Sequence, residues 1–420
     1  MRPDSTSRVT PRSAAVPPRT TRRSRKTTEG VIACIPANSA TRWVHGPGSR
    51  HPPGTITGRR PAVSRGVSRR KAGGDRCEGR TTEAHQEVRR PEAQRFSRPR
   101  CETRTRLRIV SQALVFSGEA VCAAVDPLAA YAAVRAAFEA YAAGEWTMQP
   151  KVYLTNYPAG DFRAMPALGG GHALLKWVTS FPGNPSKGLP TVSGVVLLSD
   201  AATGELVAVL DAAAVTALRT AAAGVLAVDV LGPFGAPCAV VGCGVNGAET
   251  VRLLRALGRE VAVHDANPAR AEAVAAAHGA VAVSLTEALA QPAVVTVTPG
   301  ASVLFADGSL RPGQHVSLMG ADGPGKAEIA VGELGRARLY CDDWEQASHG
   351  GELHAGVAAG IVGRENVTEL GAVLLGRAAG RTAPEEITLF DSTGLAIQDL
   401  AIARAARERA PELDLPVLEL

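Results

Sequence analysis

The sequence predicts an α/β protein with a doubly wound parallel sheet in its C-terminal half and a mixed sheet ahead of it. Three observations carry this. An apolar run at Ala239–Val241 enters the glycine turn Gly242-x-Gly244-x-x-Gly247. A helical pattern follows (Ala248, Val251, Leu253, Leu254, Leu257), then a second apolar run, Val261–Val263, ending at Asp265. Further strand-like runs recur at Ala280–Ser284, Val294–Thr298, Gln314–Met319 and Arg338–Cys341, with helices between several of them.

The first βαβ unit has the parts that a dinucleotide requires. Gly242 makes the tight turn, Gly244 lets backbone approach a pyrophosphate, and Gly247 lets helix pack on strand. The helix N-terminus offers free N–H groups and the positive end of its dipole. Asp265 lies at the distance expected of an acid that binds ribose hydroxyls. Strand, turn, helix, strand and acid in register identify a Rossmann dinucleotide-binding domain. Asp265 is followed by Ala-Asn, with no arginine immediately after it, which favours NAD over NADP.

Upstream, helical spacing runs from Ala129 to Ala143, with Gly144 placed to stop the helix. Strands are expected at Lys151–Thr155 and Ala173–Thr179, with the turn Gly169-Gly-Gly171 between them. Gly194–Ser199 and Leu206–Leu210 read as a hairpin across the turn Asp200–Gly204. A long helix follows over Ala212–Leu231 and ends at Gly232-Pro233. After Pro384 a strand (Ile387–Phe390) leads through Gly394 to a closing helix, Leu395–Arg409, which is expected to return to the first domain. The division is a basic arm over 1–108, a first domain over 109–230 completed by 385–420, and the NAD-binding Rossmann domain over 231–384.

The net charge of +6 conceals an asymmetry. Residues 1–108 hold 26 Lys+Arg against 8 Asp+Glu, and the remainder 20 against 32. The arm lacks apolar periodicity, so it cannot offset its ordering entropy and reads as disordered. It has no aromatic interleaving and no nucleic-acid-binding module, so nucleic acid is not the favoured partner. It also lacks the amphipathic helix of a transit peptide. A translated upstream region, with the true start near Arg108–Ser111, is the preferred reading. The seven cysteines show no paired spacing, which argues against disulfides or structural zinc and fits a reducing cytoplasm. No uninterrupted run of 18 apolar residues occurs, so no membrane association is expected. His264, His315 and His354 have no metal-ligand spacing and are expected to be core or incidental residues, with no metal bound.

Four strings outside the glycine turn are distinctive: Lys176–Val192 (KWVTSFPGNPSKGLPTV), Leu210–Ala223 (LDAAAVTALRTAAA), Met319–Ile329 (MGADGPGKAEI) and Leu389–Asp399 (LFDSTGLAIQD). In this order the chain resembles the ornithine cyclodeaminase/mu-crystallin family, in its alanine-dehydrogenase-like branch, over about Ile109–Ala410. The resemblance implies an α+β substrate and dimerisation domain formed from both flanks of the Rossmann domain. It also implies an active site between the two domains and a homodimer.

The resemblance assigns roles to residues that pattern alone leaves open. Lys176 aligns with a lysine that contacts the substrate carboxylate or carbonyl and could polarise an imine. Lys151 and Arg163 align with further basic substrate-binding positions, and Thr393 with another substrate contact. Members with assigned ornithine specificity carry glutamate where Arg163 stands, so this arginine weakens the ornithine reading and suits a carboxylate. Arg219, flanked at helical spacing by Thr216 and Thr220, is placed to reach both substrate and cofactor. Asp322, in the loop after a buried strand, is the expected general base, with Lys326 favouring its ionised form. Thr191, Asn246, Gly247, Asp265, Thr298, Val316, Met319, Lys326 and Ser392 align with cofactor contacts.

These implications amount to an NAD-dependent enzyme acting at the α-carbon of a small amino or imino acid, as a dehydrogenase or imine reductase. Two alternatives stand beside it: ornithine cyclodeamination with NAD used catalytically, and a non-catalytic dinucleotide-dependent binding protein.

Overall fold

The computed structural model describes residues 111–323 and 325–420. The expectations placed on the arm and on its start near Arg108 lie outside the described residues.

The first unit opens with β1 (Gln112–Phe116), α1 (Gly118–Ala124) and α2 (Pro127–Ala142). Asp126 starts α2 by accepting from the Ala129 N–H, with Pro127 in the first turn. Then come β2 (Thr147–Met148), β3 (Val152–Asn156), β4 (Gly160–Gly169) and β5 (His172–Ser180). The expected hairpin is β6 (Val192–Asp200) and β7 (Leu206–Asp211). Helix α3 (Ala212–Leu231) follows, its first turn capped by the Asp211 side chain. With the C-terminal strand β16 (Val417–Glu419) at its edge, the sheet order is β16-β1-β7-β6-β5-β4-β2, with β3 also paired to β4. β1 runs parallel to β7 and the other pairs are antiparallel, so the sheet is mixed.

The second sheet contains β8 (Cys238–Val241), β9 (Val261–His264), β10 (Val281–Ala282), β11 (Ala293–Thr296), β12 (His315–Leu318), β13 (Arg338–Cys341), β14 (Val367–Glu369) and β15 (Thr388–Asp391). Helices α4 (Val245–Ala256), α5 (Pro268–His278) and α6 (Leu285–Leu289) connect its first strands. Its order, β10-β9-β8-β11-β12-β15-β13-β14, is parallel throughout. The order reverses between β8 and β11, and the crevice at the carboxyl ends of those strands is where such sheets bind ligands.

One boundary differs from expectation. β15 lies between β12 and β13, every residue buried, so 388–391 belong to the parallel sheet rather than to the return segment. A four-residue apolar run buried on both faces looks the same in sequence wherever it pairs. The return begins after Gly394. The shorter helices α7 (Val331–Leu334), α8 (Trp344–Gly350), α9 (Leu353–Ala358) and α10 (Leu370–Leu374) precede it. Helix α11 (Ala396–Glu408) packs on α2, α3, β4 and β5, and β16 (Val417–Glu419) pairs with β1. β1, β2, β4, β14 and β16 are not among the strands expected from the sequence. β4 contains Pro166 and no β-branched residue, so its pairing with β5, rather than propensity, makes it a strand.

Helix α3 has the length and hydropathy of a membrane span, but 72% of that window is buried inside the protein. It packs against α2, α4 and α11 and against strands of both sheets. One continuous apolar core therefore runs from α2 through α3 and α11 to Val240, Val263 and Val295 of the parallel sheet. A second core covers the opposite face of that sheet.

Candidate active site

Alternation along β4 and β5 sets the floor of the site. Leu174, Lys176 and Val178 face inward while Leu175 and Trp177 face outward. The register pairs Met165 with Lys176 and Arg163 with Val178, which places both basic residues on the inner face. Thr216, Arg219 and Thr220, three and four residues apart, present one face of α3. Asn246 at the start of α4, Met319 and Asp322 after β12, and Ser392–Gly394 after β15 close the other side. With Lys151 these residues line one cavity of about 120 Å³.

Lys176 is fully buried, and its Nζ donates to Thr216 Oγ1 (2.6 Å) and Asp399 Oδ1 (2.8 Å). Burial pushes its pKa down to about 8, against the opposing pull of Asp399. Lys151 donates to the Thr393 carbonyl and is likewise lowered to about 8 by burial, with Asp322 and Asp342 opposing. Arg163 donates through Nε to Asp161 Oδ1 (2.6 Å) and through Nη1 to Asp322 Oδ2 (2.5 Å). Its guanidinium also stands over the Tyr153 ring, 5.2 Å from the centroid.

Asp322 accepts from Arg163 and, through Oδ1, from Lys326 (2.5 Å), while the Tyr153 hydroxyl donates to its carbonyl (2.9 Å). Burial alone would raise its pKa. The Arg163, Lys326 and Lys151 charges outweigh that and hold the carboxyl well below the usual carboxylate range. Arg219 donates through Nη1 to Gln398 Oε1 (3.3 Å), and its Nε lies 3.6 Å from Asp399 Oδ1. Gly394 has φ +78°, and a Cβ there would stand 2.2 Å from Arg219 Nη1. Only glycine suits that position.

At the other end, a Cβ on Gly247 would stand 1.7 Å from the Gly242 carbonyl oxygen, and Gly242 itself has φ +103°. A Cβ on Gly244 would meet nothing within 4 Å. Gly244 begins α4 with no side-chain cap, so the first N–H groups of the helix face that open space. This cradle fits a dinucleotide pyrophosphate. Asp265 ends β9, and its oxygens accept from the Cys243 and Asn267 N–H groups, both at 2.8 Å. Beyond these backbone donors each oxygen has a second acceptor site, which a ribose hydroxyl would take over from Arg270. Arg270, one turn into α5, stands 3.4 Å from both oxygens, an approach that inspection of the position after Asp265 did not reveal.

The remaining aligned residues divide. The Thr191 carbonyl accepts from the Phe181 N–H, beside Val192 in the cavity wall. Thr298 donates to Glu328 Oε1 (2.6 Å), and Ser392 to Asp342 Oδ2 (3.0 Å). Met319 lines the cavity. Val316 does not belong with these. It is wholly buried in the apolar core on the sheet's far face, so its side chain cannot touch a ligand. Alternation along β12 points it away from the crevice.

Three acids escaped sequence reasoning. Glu328 holds Thr296, Thr298 and the Gly320 N–H, fixing the ends of β11 and β12. Asp342, raised to about 6 by burial, accepts from Ser392, Thr393 and the Gly394 N–H. Asp399 holds Lys176. Asp399 closes one of the distinctive strings and Glu328 is the last residue but one of another, which is the available signal. His315 is core-bound, between Thr388 Oγ1 (2.9 Å) and Ser317 Oγ (3.0 Å), and burial pushes it down to about 3.

The sequence profile of the ornithine cyclodeaminase/mu-crystallin family matches residues 114–413. The chain is 40% identical to the alanine dehydrogenase of Archaeoglobus fulgidus over 309 residues, covering 71% of this chain and 95% of that enzyme. An archaeal alanine dehydrogenase dimer solved with bound NAD aligns with a TM-score of 0.70 at 39% identity, over 73% of this chain and 99% of its own. The iminosuccinate reductase of Paracoccus denitrificans in complex with NAD+ aligns with a TM-score of 0.68 at 29% identity, over 74% and 100%. Profile, relatives and architecture agree over the same residues: the chain belongs to the ornithine cyclodeaminase/mu-crystallin family.

Proposed function

We infer that this chain interconverts a small 2-amino acid and its imine or 2-oxo acid. It is an NAD-dependent enzyme acting at the α-carbon of an amino or imino acid. The dehydrogenase or reductase outcome rests on one observation: Arg163 reaches the cavity and touches Asp322, where a diamine substrate would need an acid for its second ammonium. Arg163 and Lys151 bind the substrate carboxylate. As Arg163 turns to the substrate, Asp322 loses a countercharge and gains basicity, and it takes the proton from the α-ammonium. NAD, when bound, supplies the hydride acceptor. Lys176 polarises the imine for attack by water.

The test is to incubate purified protein with NAD and alanine, other small amino acids, ornithine or cyclic imines, following NADH and ammonia together. NADH formed with ammonia supports the dehydrogenase. Ammonia from ornithine without net NADH would establish cyclodeamination instead. The lysines set the alkaline side of the profile. Both are charged below about 8 and neutral above it, so kcat/KM is expected to fall as pH rises through about 8. A rate that stays flat up to pH 10 would contradict their roles.

We further propose a cytoplasmic homodimer. The outer face of the first sheet exposes Val152, Leu154, Leu175, Trp177 and Val195, and pairing aligns Val152, Ala164, Trp177 and Val195 in one row. Such a patch marks an interface. Trp177→Glu is expected to convert dimer to monomer in size-exclusion chromatography with light scattering. An unchanged mass would move the interface elsewhere. Cys238, Cys243 and Cys341 are buried free thiols, as suits a reducing compartment.

A further inference from the structure

Asp399 is the least explained charged group near the cavity. It lies in the first turn of α11, fully buried, yet it does not start that helix. The Gln398 side chain accepts from the Leu395 N–H in its place. A buried carboxylate that serves structure ordinarily collects backbone N–H donors. Asp399 meets two cavity cations instead: Lys176 Nζ at 2.8 Å and Arg219 Nε at 3.6 Å. Neither its Oδ2 nor Arg219 Nε has a hydrogen-bond partner in the protein. On the lysine side the geometry is directional. The single Thr216 hydroxyl proton goes to the Ala212 carbonyl, so Thr216 can only accept from Lys176. Thr216 and Asp399 together take two of the three ammonium protons and leave the third for a molecule in the cavity.

We propose that Asp399 is a positioning residue for Lys176, anchoring the ammonium at the cavity wall and supplying its countercharge from the C-terminal helix. The proposal rests on the reading of Lys176 as the group that polarises the imine. The groups facing Lys176 are Asp399 from α11, Thr216 and Arg219 from α3, and Arg163 from the neighbouring β4. Lys151 and Asp322 complete the charged lining. Without Asp399 the lysine keeps three cations nearby and loses its buried anion. Burial then favours the neutral amine, which cannot polarise an imine.

The experiment combines pH-rate profiles with side-chain NMR of lysine-labelled protein, which is tractable because the sequence contains only six lysines. In Asp399→Asn the Lys176 titration is expected to move down by about one pH unit or more. The alkaline limb of kcat/KM should move with it, kcat at pH 8 falling roughly fivefold or more while the KM for NADH stays unchanged. A folded Asp399→Asn protein with unmoved titration and limb overturns the proposal. If asparagine prevents folding, Asp399→Glu keeps the charge and carries the test. Titration and limb should then shift together and less far, and a shift of one alone overturns the proposal. Absence of turnover by the wild type would sink the proposed function, whereas the NMR titration still decides the Lys176–Asp399 coupling.

Discussion

Asp322→Asn is expected to lower kcat by roughly 100- to 10,000-fold while leaving NAD affinity within about twofold, the loss typical of removing a positioned general base. Asparagine keeps the shape of the side chain, and its one oxygen can accept from either Arg163 or Lys326, while the Tyr153 bond to the backbone carbonyl of this residue still ties down the loop after β12. It cannot take a proton. Stopped-flow measurement of NADH formation, with NAD binding followed by calorimetry, separates the two effects. A variant with near-normal turnover would remove Asp322 from the chemistry. The acidic side of the wild-type profile offers a second check. The Asp322 carboxyl sits well below the ordinary range, so it stays ionised as pH falls through 4. Acid loss of activity in the free enzyme at pH 5–6 would have to come from another group, and Asp342, at about 6, titrates in that range.

Gly247→Ala should have the second largest effect, on cofactor rather than on chemistry. The added methyl would stand 1.7 Å from the Gly242 carbonyl oxygen, a contact that backbone has to open to relieve. Opening it moves the first turn of α4 away from the cradle at Gly244. Losing one or two charge-assisted hydrogen bonds to phosphate costs about 1.5–3 kcal/mol each. NAD affinity is therefore expected to fall by roughly tenfold to a hundredfold or more, with a lower melting temperature. Gly244→Ala is the control for local crowding, since its Cβ meets no protein atom; it should weaken NAD only through contact with the cofactor. Equal NAD affinity in Gly247→Ala and wild type would contradict the placement of the pyrophosphate.

The glycine turn, the long core helix and the hairpin were legible because each is written in local spacing. Gly242, Gly244 and Gly247 announce themselves by their spacing, with Gly242 at positive φ and Gly247 pressed against its carbonyl, and α3 by a capped apolar stretch ended at Gly232. β4 was hidden because its pairing comes from β5 rather than from its own residues, and the sheet assignment of β15 was hidden because a short apolar strand carries no address. Val316 shows the opposite failure. Alignment with a family contact suggested a ligand neighbour, but the alternation of β12 turns its side chain into the far core.

The sequence by itself determined the nucleotide-binding unit, the family and the residue types that the chemistry needs, since these depend on short-range spacing and on distinctive strings. Tertiary structure decided which charges meet. Arg163 and Asp322 are 159 residues apart and touch, and Lys176 and Asp399, 223 residues apart, share a buried ion pair. No local pattern encodes such pairs. They arise because α11 and the Asp322 loop, both from beyond the dinucleotide turn, pack back against the inner face of β4 and β5. Burial at that junction then pushes the Lys151 and Lys176 ammonium groups down to about 8.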